Sequence, residues 1–446
     1  MKFLINHIGP IEEGSVELGK LTVLCGKNNS GKTYVAYNLY NYIKDLNSLL
    51  TVDFSKELVA VLFKNGQVNF DLVNYSSKLQ KIVDNSMRGW SVKEASRKMA
   101  AHADHFANAS FSLELDEDAA SREMQALSVD WNPRVSENCT LVFRKKVGSG
   151  NVSVVLQNGG DKLPAEAVIV SALKIFTRWC LCTVFPKMFI ITCERTGVAV
   201  FRSLLANKLK DSASNNLFLV STDVFEQNYP LPVCKDIAMM SDLASLISRK
   251  SYFAESHPDV ISAFDNIAGG AYSVLDKDVI QFTPRGSTVA LSTVESSSSA
   301  RSLMEIGFYL RHLAKSGECL MIDEPEQNLH PEMQRKMARL IVRIVNCGIK
   351  VFVTTHSDYI IREFNTLLMF KSLKAVNASR ATVLLSELGY SDAELLDIGD
   401  VKAYCLRNHT IEPMPTSQEM GIQVDTFDDT IRAINNVQSR IMFGAE

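Results

Sequence analysis

Residues 26–33 read G-K-N-N-S-G-K-T, which fits G-x-x-x-x-G-K-[ST] in full. An apolar run, K-L-T-V-L-C, precedes it and a helical pattern follows, which is the setting a phosphate-cradling loop requires. Gly26 and Gly31 permit the tight backbone curl. The N–H groups of Lys27, Asn28, Asn29 and Ser30, with the following helix N-terminus, suit phosphate oxygens. In such a loop Lys32 reaches the β- and γ-phosphates and the Thr33 hydroxyl ligates Mg²⁺. A second cluster, C-L-M-I-D-E-P-E at 319–326, reads as a buried strand ending in two acids. Strand alternation is expected to point Asp323 and Glu324 to different sides. Asp323 would then face the metal, while Glu324 acts as base or positioner of the attacking water. Ion-paired surface acids are the plainer reading of such a pair alone; the phosphate loop favours the chemical one.

Two further segments suit the same chemistry. K-V-F-V-T-T-H-S at 350–357 is another apolar strand with a polar end, one helix after the acids. Sites of α/β proteins lie at such strand ends, so His356 is expected beside Asp323 and Glu324, in contact with the γ-phosphate. V-E-S-S-S-S-A-R-S-L-M-E-I at 294–306 opens a helix, capped by Ser298 or Ser299. Small hydroxyl residues at a positive helix end suit an anion, although for this segment taken alone an ordinary capped helix after a loop is the favoured reading.

These segments need elements to hold them. Residues 1–25 read as three short strands and 33–48 as a helix; helices are expected at 198–210 and 236–267 and a hairpin at 278–293. The order helix 299–315, strand 318–322, helix 331–346, strand 350–355 and helix 357–366 is the βαβα pattern of a mostly parallel sheet covered on both faces. Between the halves lies a stretch rich in polar helix patterns. It contains one strand pair, T-L-V-F-R-K-K and N-V-S-V-V-L-Q-N around G-S-G, and a closing helix at 165–184. The expected organisation is a split core, 1–48 and 186–369, around a mainly helical insertion at 49–185, with a small α+β extension at 370–446.

A chain of 446 residues can bury such a core without disulfides or metals. With 47 basic and 50 acidic residues its net charge is −3, which argues against a dedicated nucleic-acid binder. The nine cysteines are odd in number and form no C-x-x-C, so reduced thiols are expected. The N-terminus lacks the pattern of a signal peptide. The apolar window from Ala165 to Cys193 is broken by Lys174, Arg178, Pro186 and Lys187. No membrane span is expected, and the cytoplasm is the expected location.

Taken together, GKNNSGKT, ESSSSARSL, LMIDEPEQNLHP and TTHSD resemble the ABC-type ATPase heads of the SMC, RecF and overcoming-lysogenization-defect group. They are most similar to the compact AAA15/AAA21 ATPases of bacterial defence loci, among them the ATPase subunits of PARIS-like and Septu-like systems. The resemblance spans 1–48 and roughly 186–367 and is weak elsewhere. It implies an α/β P-loop head with a mostly parallel sheet and N-terminal antiparallel strands, binding ATP and Mg²⁺. Lys32 and Thr33 take the Walker A roles, Asp323 and Glu324 the Walker B roles, Asn328 to Pro331 the D-loop, and His356 the switch histidine. The serines at 296–299 stand at the signature position, where Ser297 and Ser298 would touch the γ-phosphate held by a second head in trans. They lack the glycine pair of L-S-G-G-Q. I-T-C-E-R-T-G at 191–197 resembles the P-x-E-R-x-G stretch of the defence ATPases, with Thr192 in place of proline. Glu194 and Arg195 would lie near the nucleotide or the head interface, or form a plain surface ion pair.

Other features limit the function. The insertion sustains no heptads, which excludes long-armed chromosome clamps. The C-terminus has no D-x-D, and Glu387 is an isolated hint of a nuclease. His102 and His105 lack further spaced ligands and read as an exposed helix face. Arg335, Arg339 and Arg343 read as a solvated face or a contact for a phosphate backbone or acidic partner. Two readings stay open. One is an ATP-driven scaffold of paired heads that holds or releases a separate effector, a Toprim-like or HNH-like nuclease, on a phage-derived trigger. The other is a RecF-like ATPase that grips or senses DNA.

Overall fold

The chain begins with strands β1 (Lys2–Ile8), β2 (Ile11–Glu17) and β3 (Leu21–Gly26), then helix α1 (Lys32–Leu49). After the insertion come β4 (Met188–Ile191), α2 (Arg195–Ser214), α3 (Leu231–Ser241) and α4 (Ser298–Phe308). They are followed by β5 (Cys319–Asp323), α5 (Pro331–Asn346), β6 (Lys350–Thr355), α6 (Asp358–Val376), β7 (Val401–Arg407) and β8 (Thr410–Pro413). The computed structural model describes residues 1–158, 164–214, 228–275, 279–417, 419–423 and 425–443. It divides into a larger unit, 5–41 with 91–110 and 187–446, and a smaller one, 1–4 with 42–90 and 111–186.

The large unit is an α/β fold around one mixed sheet of order β4-β5-β6-β3-β7-β8-β2-β1. The strands from β4 through β7 in this order run parallel. β3 and β5 are buried along their whole length, which is why they read as unbroken apolar runs. Register carries the site: Asp323 lies opposite Thr354, and Thr355 opposite Cys25, so three strand ends finish level at one edge. α5 buries Met337, Leu340, Ile341 and Ile344 against the sheet, each worth about 1.5–3 kcal/mol. Pro331 at its first position and the His330 side chain, accepting from Glu332 N, begin it.

Several elements depart from expectation. The 236–267 stretch is four short helices, because Asp242, Ser251 and His257 break it and Pro258 starts a new one. α4 passes after Phe308 into a π-turn at Tyr309–Leu313, and α6 runs ten residues beyond its expected end. The cap of α4 is Ser297, one residue before the expected pair; its Oγ accepts from Ala300 N at 3.1 Å. The segment from 370 onward supplies more than an extension: β7 pairs in parallel with β3, inside the sheet and beside the phosphate loop. V-K-A-Y-C-L-R has a strand's composition, but its partner lies some 380 residues away and nothing local names it.

The three arginines of α5 are not a free basic stripe: Arg335 stays half exposed, as a solvated face would have it, whereas Arg339 and Arg343 are largely covered, and each meets a carboxylate. Arg335 donates to Glu363 at 2.7 Å, Arg339 to Glu394 at 2.8 Å and Arg343 to Glu394 at 3.0 Å. The Glu394 side chain is only 3 % exposed. Burial alone would lift its pKa, but Arg339, Ser391 N–H and Arg343 together hold it below the usual carboxylate value. This stability is present above pH 4.5, the usual value, and is lost as pH falls through the folded one. Glu394→Ala leaves two arginines without their carboxylate and should cost about 3 kcal/mol in urea unfolding; a loss under about 0.5 kcal/mol would mean the cluster is a surface ion pair.

In the small unit the expected strand pair belongs to a larger antiparallel sheet: Gln67–Asp71, Asn151–Asn158, Cys139–Lys145 and Val129–Trp131, with Arg134–Ser136 also on the third. The Glu166–Cys182 helix lays Phe176 on Phe143, ring centroids 4.3 Å apart, and beside Trp131 at 5.9 Å. Gly148, at φ +78°, makes the turn that G-S-G signals. All nine cysteines are free thiols, and no described helix is long and apolar enough to cross a membrane.

Candidate nucleotide site

The loop between β3 and α1 curls over the level strand ends. Gly31 adopts φ +103°, and a Cβ there would meet Pro10 at 2.7 Å; a Cβ on Gly26 would meet Ser30 Oγ at 2.6 Å. Gly31 therefore requires glycine, whereas at Gly26 a side chain would have to displace the Ser30 hydroxyl and press on Leu406. Pro10, Asn28, Asn29, Ser30, Gly31, Lys32, Thr33, Tyr34, Glu324 and His356 line a cleft of about 490 Å³. Lys32 is buried, and its Nζ donates to Gly26 O and Lys27 O, each at 3.0 Å. The ammonium is thus held over the loop by the carbonyls it would leave for a phosphate. Ser30 Oγ is buried there with no hydrogen-bond partner.

The two motifs, 290 residues apart, meet directly: Thr33 Oγ1 donates to Asp323 Oδ2 at 3.1 Å. Thr354 donates to the other carboxylate oxygen. Burial pushes the Asp323 pKa up, against the pull of the Thr354 hydroxyl, the Cys193 thiol and the Thr33 hydroxyl. Among the described residues no Lys or Arg forms a salt bridge with this carboxylate. A buried acid met by two hydroxyls and the Cys193 thiol, with no cationic partner and a threonine oxygen beside it, fits a hard cation with oxygen ligands. Thr33 and Asp323 are the residues that would hold a Mg²⁺ ion here. No described cluster of three or more His, Cys, Asp or Glu offers another metal site.

Glu324 reaches the cleft by a different route from the expected strand alternation. Its backbone sits at φ +52°, in the left-handed region, a conformation that costs about 1–3 kcal/mol. The turn swings its carboxylate toward His356, whose Nδ1 lies 3.5 Å from Glu324 Oε1 and 3.4 Å from Glu326 Oε1. Glu326, buried, accepts from Thr355 Oγ1 and from His356 N, both at 2.8 Å. The hydrogen bond with Glu324 is the main reason the His356 pKa is raised, and the same bond lowers that of Glu324. The imidazolium's contribution is complete below its usual 6.5 and is lost as pH rises through the folded value. The carboxylate's contribution is complete above its usual 4.5 and is lost as pH falls through the folded value. Between those limits the pair is charged on both sides. An NMR titration of His356 should therefore give a midpoint above 6.5, falling back toward it in Glu324→Gln; an unchanged midpoint in the variant would remove Glu324 as the cause.

Ser297, Ser298 and Asn328 do not line the cleft. Ser297 caps α4 and shares a hydrogen bond with Ser299 Oγ at 2.9 Å, and Ser298 begins the helix. Asn328 is exposed at φ +59°, its amide 3.4 Å from Thr196 Oγ1. Arg195 is no surface ion pair. It is 2 % exposed and donates to Ser302 O, Thr192 O, Asp323 O and Glu324 O at 2.6–3.0 Å. Thr192, standing where the resembling stretch has proline, donates through N and Oγ1 to the buried Asp236 of α3. Sequence reasoning assigned no role to Glu326, Thr354, Asp236 or Glu305. The first two lie inside the quoted motifs D-E-P-E and T-T-H-S; the last two interrupt apolar helix faces, the one signal that marked them. His102 and His105 lie at an exposed 3₁₀ turn, Ala103–Phe106.

A family model described as an AAA ATPase domain matches residues 206–361, the stretch holding α3, α4, β5, α5 and β6. No curated protein matches the chain. Among solved structures, an Smc head bound to the C-terminal winged-helix domain of ScpA is 12 % identical, with 92 % of this chain and 95 % of that one covered, at TM-score 0.36. An Smc head with an extended coiled coil, bound to a ScpA domain derived from Pyrococcus furiosus, is 11 % identical over 98 % of each chain at TM-score 0.34. The SMC head of Thermotoga maritima is 10 % identical over 93 % and 98 % at TM-score 0.30. These likenesses are loose, and the ATPase character is carried by the matched domain and the cleft.

Proposed function

We propose that this chain binds and hydrolyses MgATP, and that nucleotide-dependent pairing of two copies makes it a regulatory scaffold for a separate effector protein. The hydrogen bond between Thr33 and Asp323 carries the first part, because it joins a complete phosphate loop to a buried acid beside the Glu324–His356 pair. Lys32 would exchange two loop carbonyls for phosphate oxygens at the same edge. Glu324, ionised at neutral pH, stands at the cleft to accept a proton from an attacking water, and His356 holds that carboxylate in place. Mg²⁺, when bound through Thr33 and Asp323, would neutralise phosphate charge.

The pairing rests on the small-hydroxyl helix end at Ser297–Ser299, which lies outside its own chain's cleft and so suits the phosphate of a second copy. The effector, a nuclease in an anti-phage setting, rests on the resemblance to defence ATPases. The DNA-gripping alternative gains nothing from the α5 arginines, which Glu363 and Glu394 occupy. Phosphate release from MgATP and native mass measurement, alone and with the products of neighbouring genes, test the proposal. Turnover with a mass increase under MgATP is expected; turnover by a chain that stays monomeric and partnerless would leave an ATPase and remove the scaffold.

A further inference from the structure

We infer that Arg195 is a positioning residue for hydrolysis: it fixes the turn carrying Asp323 and Glu324 and ties it to the helix that begins at Ser298. This inference rests on the ATPase reading of the cleft.

One guanidinium here serves three segments. Its Nη1 donates to Asp323 O at 2.7 Å and to Thr192 O at 2.8 Å, and Nη2 donates to Glu324 O at 2.6 Å. Both carbonyls of the acidic pair are therefore held by the same rigid plane. Nε donates to Ser302 O of α4 at 3.0 Å and approaches Ser302 Oγ at 3.3 Å. Ser302 Oγ in turn donates to Gln327 O at 2.9 Å, and Gln327 Nε2 donates to Cys193 O at 2.8 Å. The 324–327 turn is thus clamped from the Arg195 side and from α4. Glu305 lies nearest the guanidinium and Asp236 beside Glu305, but burial raises the pKa of both acids, so the four backbone carbonyls carry most of the compensation for its buried charge.

The need for such a clamp is local. Glu324 sits at φ +52°, which an unconstrained glutamate rarely adopts. That conformation aims its carboxylate at His356 and the cleft. Relaxation of the turn would move the carboxylate while leaving the phosphate loop intact, since Arg195 is absent from the cleft lining. A lysine cannot replace the fork, because its single ammonium has no planar set of donors for acceptors on three segments.

The test is Arg195→Lys in the full chain, with Ser302→Ala as a milder variant, reading MgATP Kd, kcat and thermal unfolding separately. A misplacement of the carboxylate by about 1 Å should lower kcat about 100-fold in Arg195→Lys. Ser302→Ala, which removes one strut, should lower it about 5- to 10-fold. Kd should stay within about threefold in both, as their contacts lie outside the cleft. A folded Arg195→Lys with wild-type kcat overturns the inference. If that variant does not fold, Ser302→Ala decides: reduced kcat at unchanged Kd supports the inference, and unchanged kcat overturns it. A wild-type chain that binds no MgATP overturns the ATPase reading and this inference together; a wild-type chain that turns ATP over beside two fully active variants overturns this inference alone.

Discussion

Lys32→Ala should raise the Kd for MgATP by about two to three orders of magnitude, measured by titration with a fluorescent nucleotide. The lysine is the cation of the loop, and charge-assisted hydrogen bonds to two phosphates are worth about 3–4 kcal/mol together. The replacement also removes the two bonds that tie Nζ to Gly26 O and Lys27 O, so the loop loses internal order. Folding should change little. The ammonium is satisfied in the protein by carbonyls rather than by a buried carboxylate, so its removal strands no opposite charge. Thermal unfolding within a few degrees of wild type, together with lost binding, separates a site effect from a fold effect. Binding weakened less than about tenfold would mean that Lys32 keeps its carbonyl partners in the bound state and never reaches phosphate.

The site was legible where chemistry and periodicity coincide. Gly26, Gly31, Lys32 and Thr33 sit in one contiguous motif whose backbone demands are local. β5, α5 and β6 were readable because each is a continuous apolar run or a clean helical stripe. What escaped depends on partners remote in sequence. β7 takes its place beside β3 through pairing that no local pattern encodes. Arg335, Arg339 and Arg343 read as a solvent face because Glu363 and Glu394, which pair with them, lie on elements downstream. Glu324 does line the cleft of the phosphate loop, but not by the expected geometry: alternation describes a strand, and this residue has already left it through a left-handed turn. Arg195 shows the same limit from the other side, since a single E-R pair does not reveal which carbonyls a guanidinium will meet.

Glu324→Gln should bind MgATP with a Kd within about threefold of wild type and hydrolyse it about 10²- to 10³-fold more slowly, the loss typical of a removed general base. The amide is isosteric, so the turn and its clamp by Arg195 persist. What disappears is the negative charge, and with it both the proton acceptor and the partner that raises the His356 pKa. The pH dependence separates these two losses. In the wild type, activity should fall at low pH as Glu324 is protonated, at a midpoint below the usual 4.5 because His356 depresses it. That acid limb should be absent from the residual activity of the variant. If paired copies trap ATP, the variant should also accumulate as a stable dimer in native mass measurement, because the step that resets the pair is blocked. Turnover in Glu324→Gln near the wild-type rate would take the base away from this residue. Glu326, buried 3.4 Å from the same imidazole nitrogen, would then be the next carboxylate to replace.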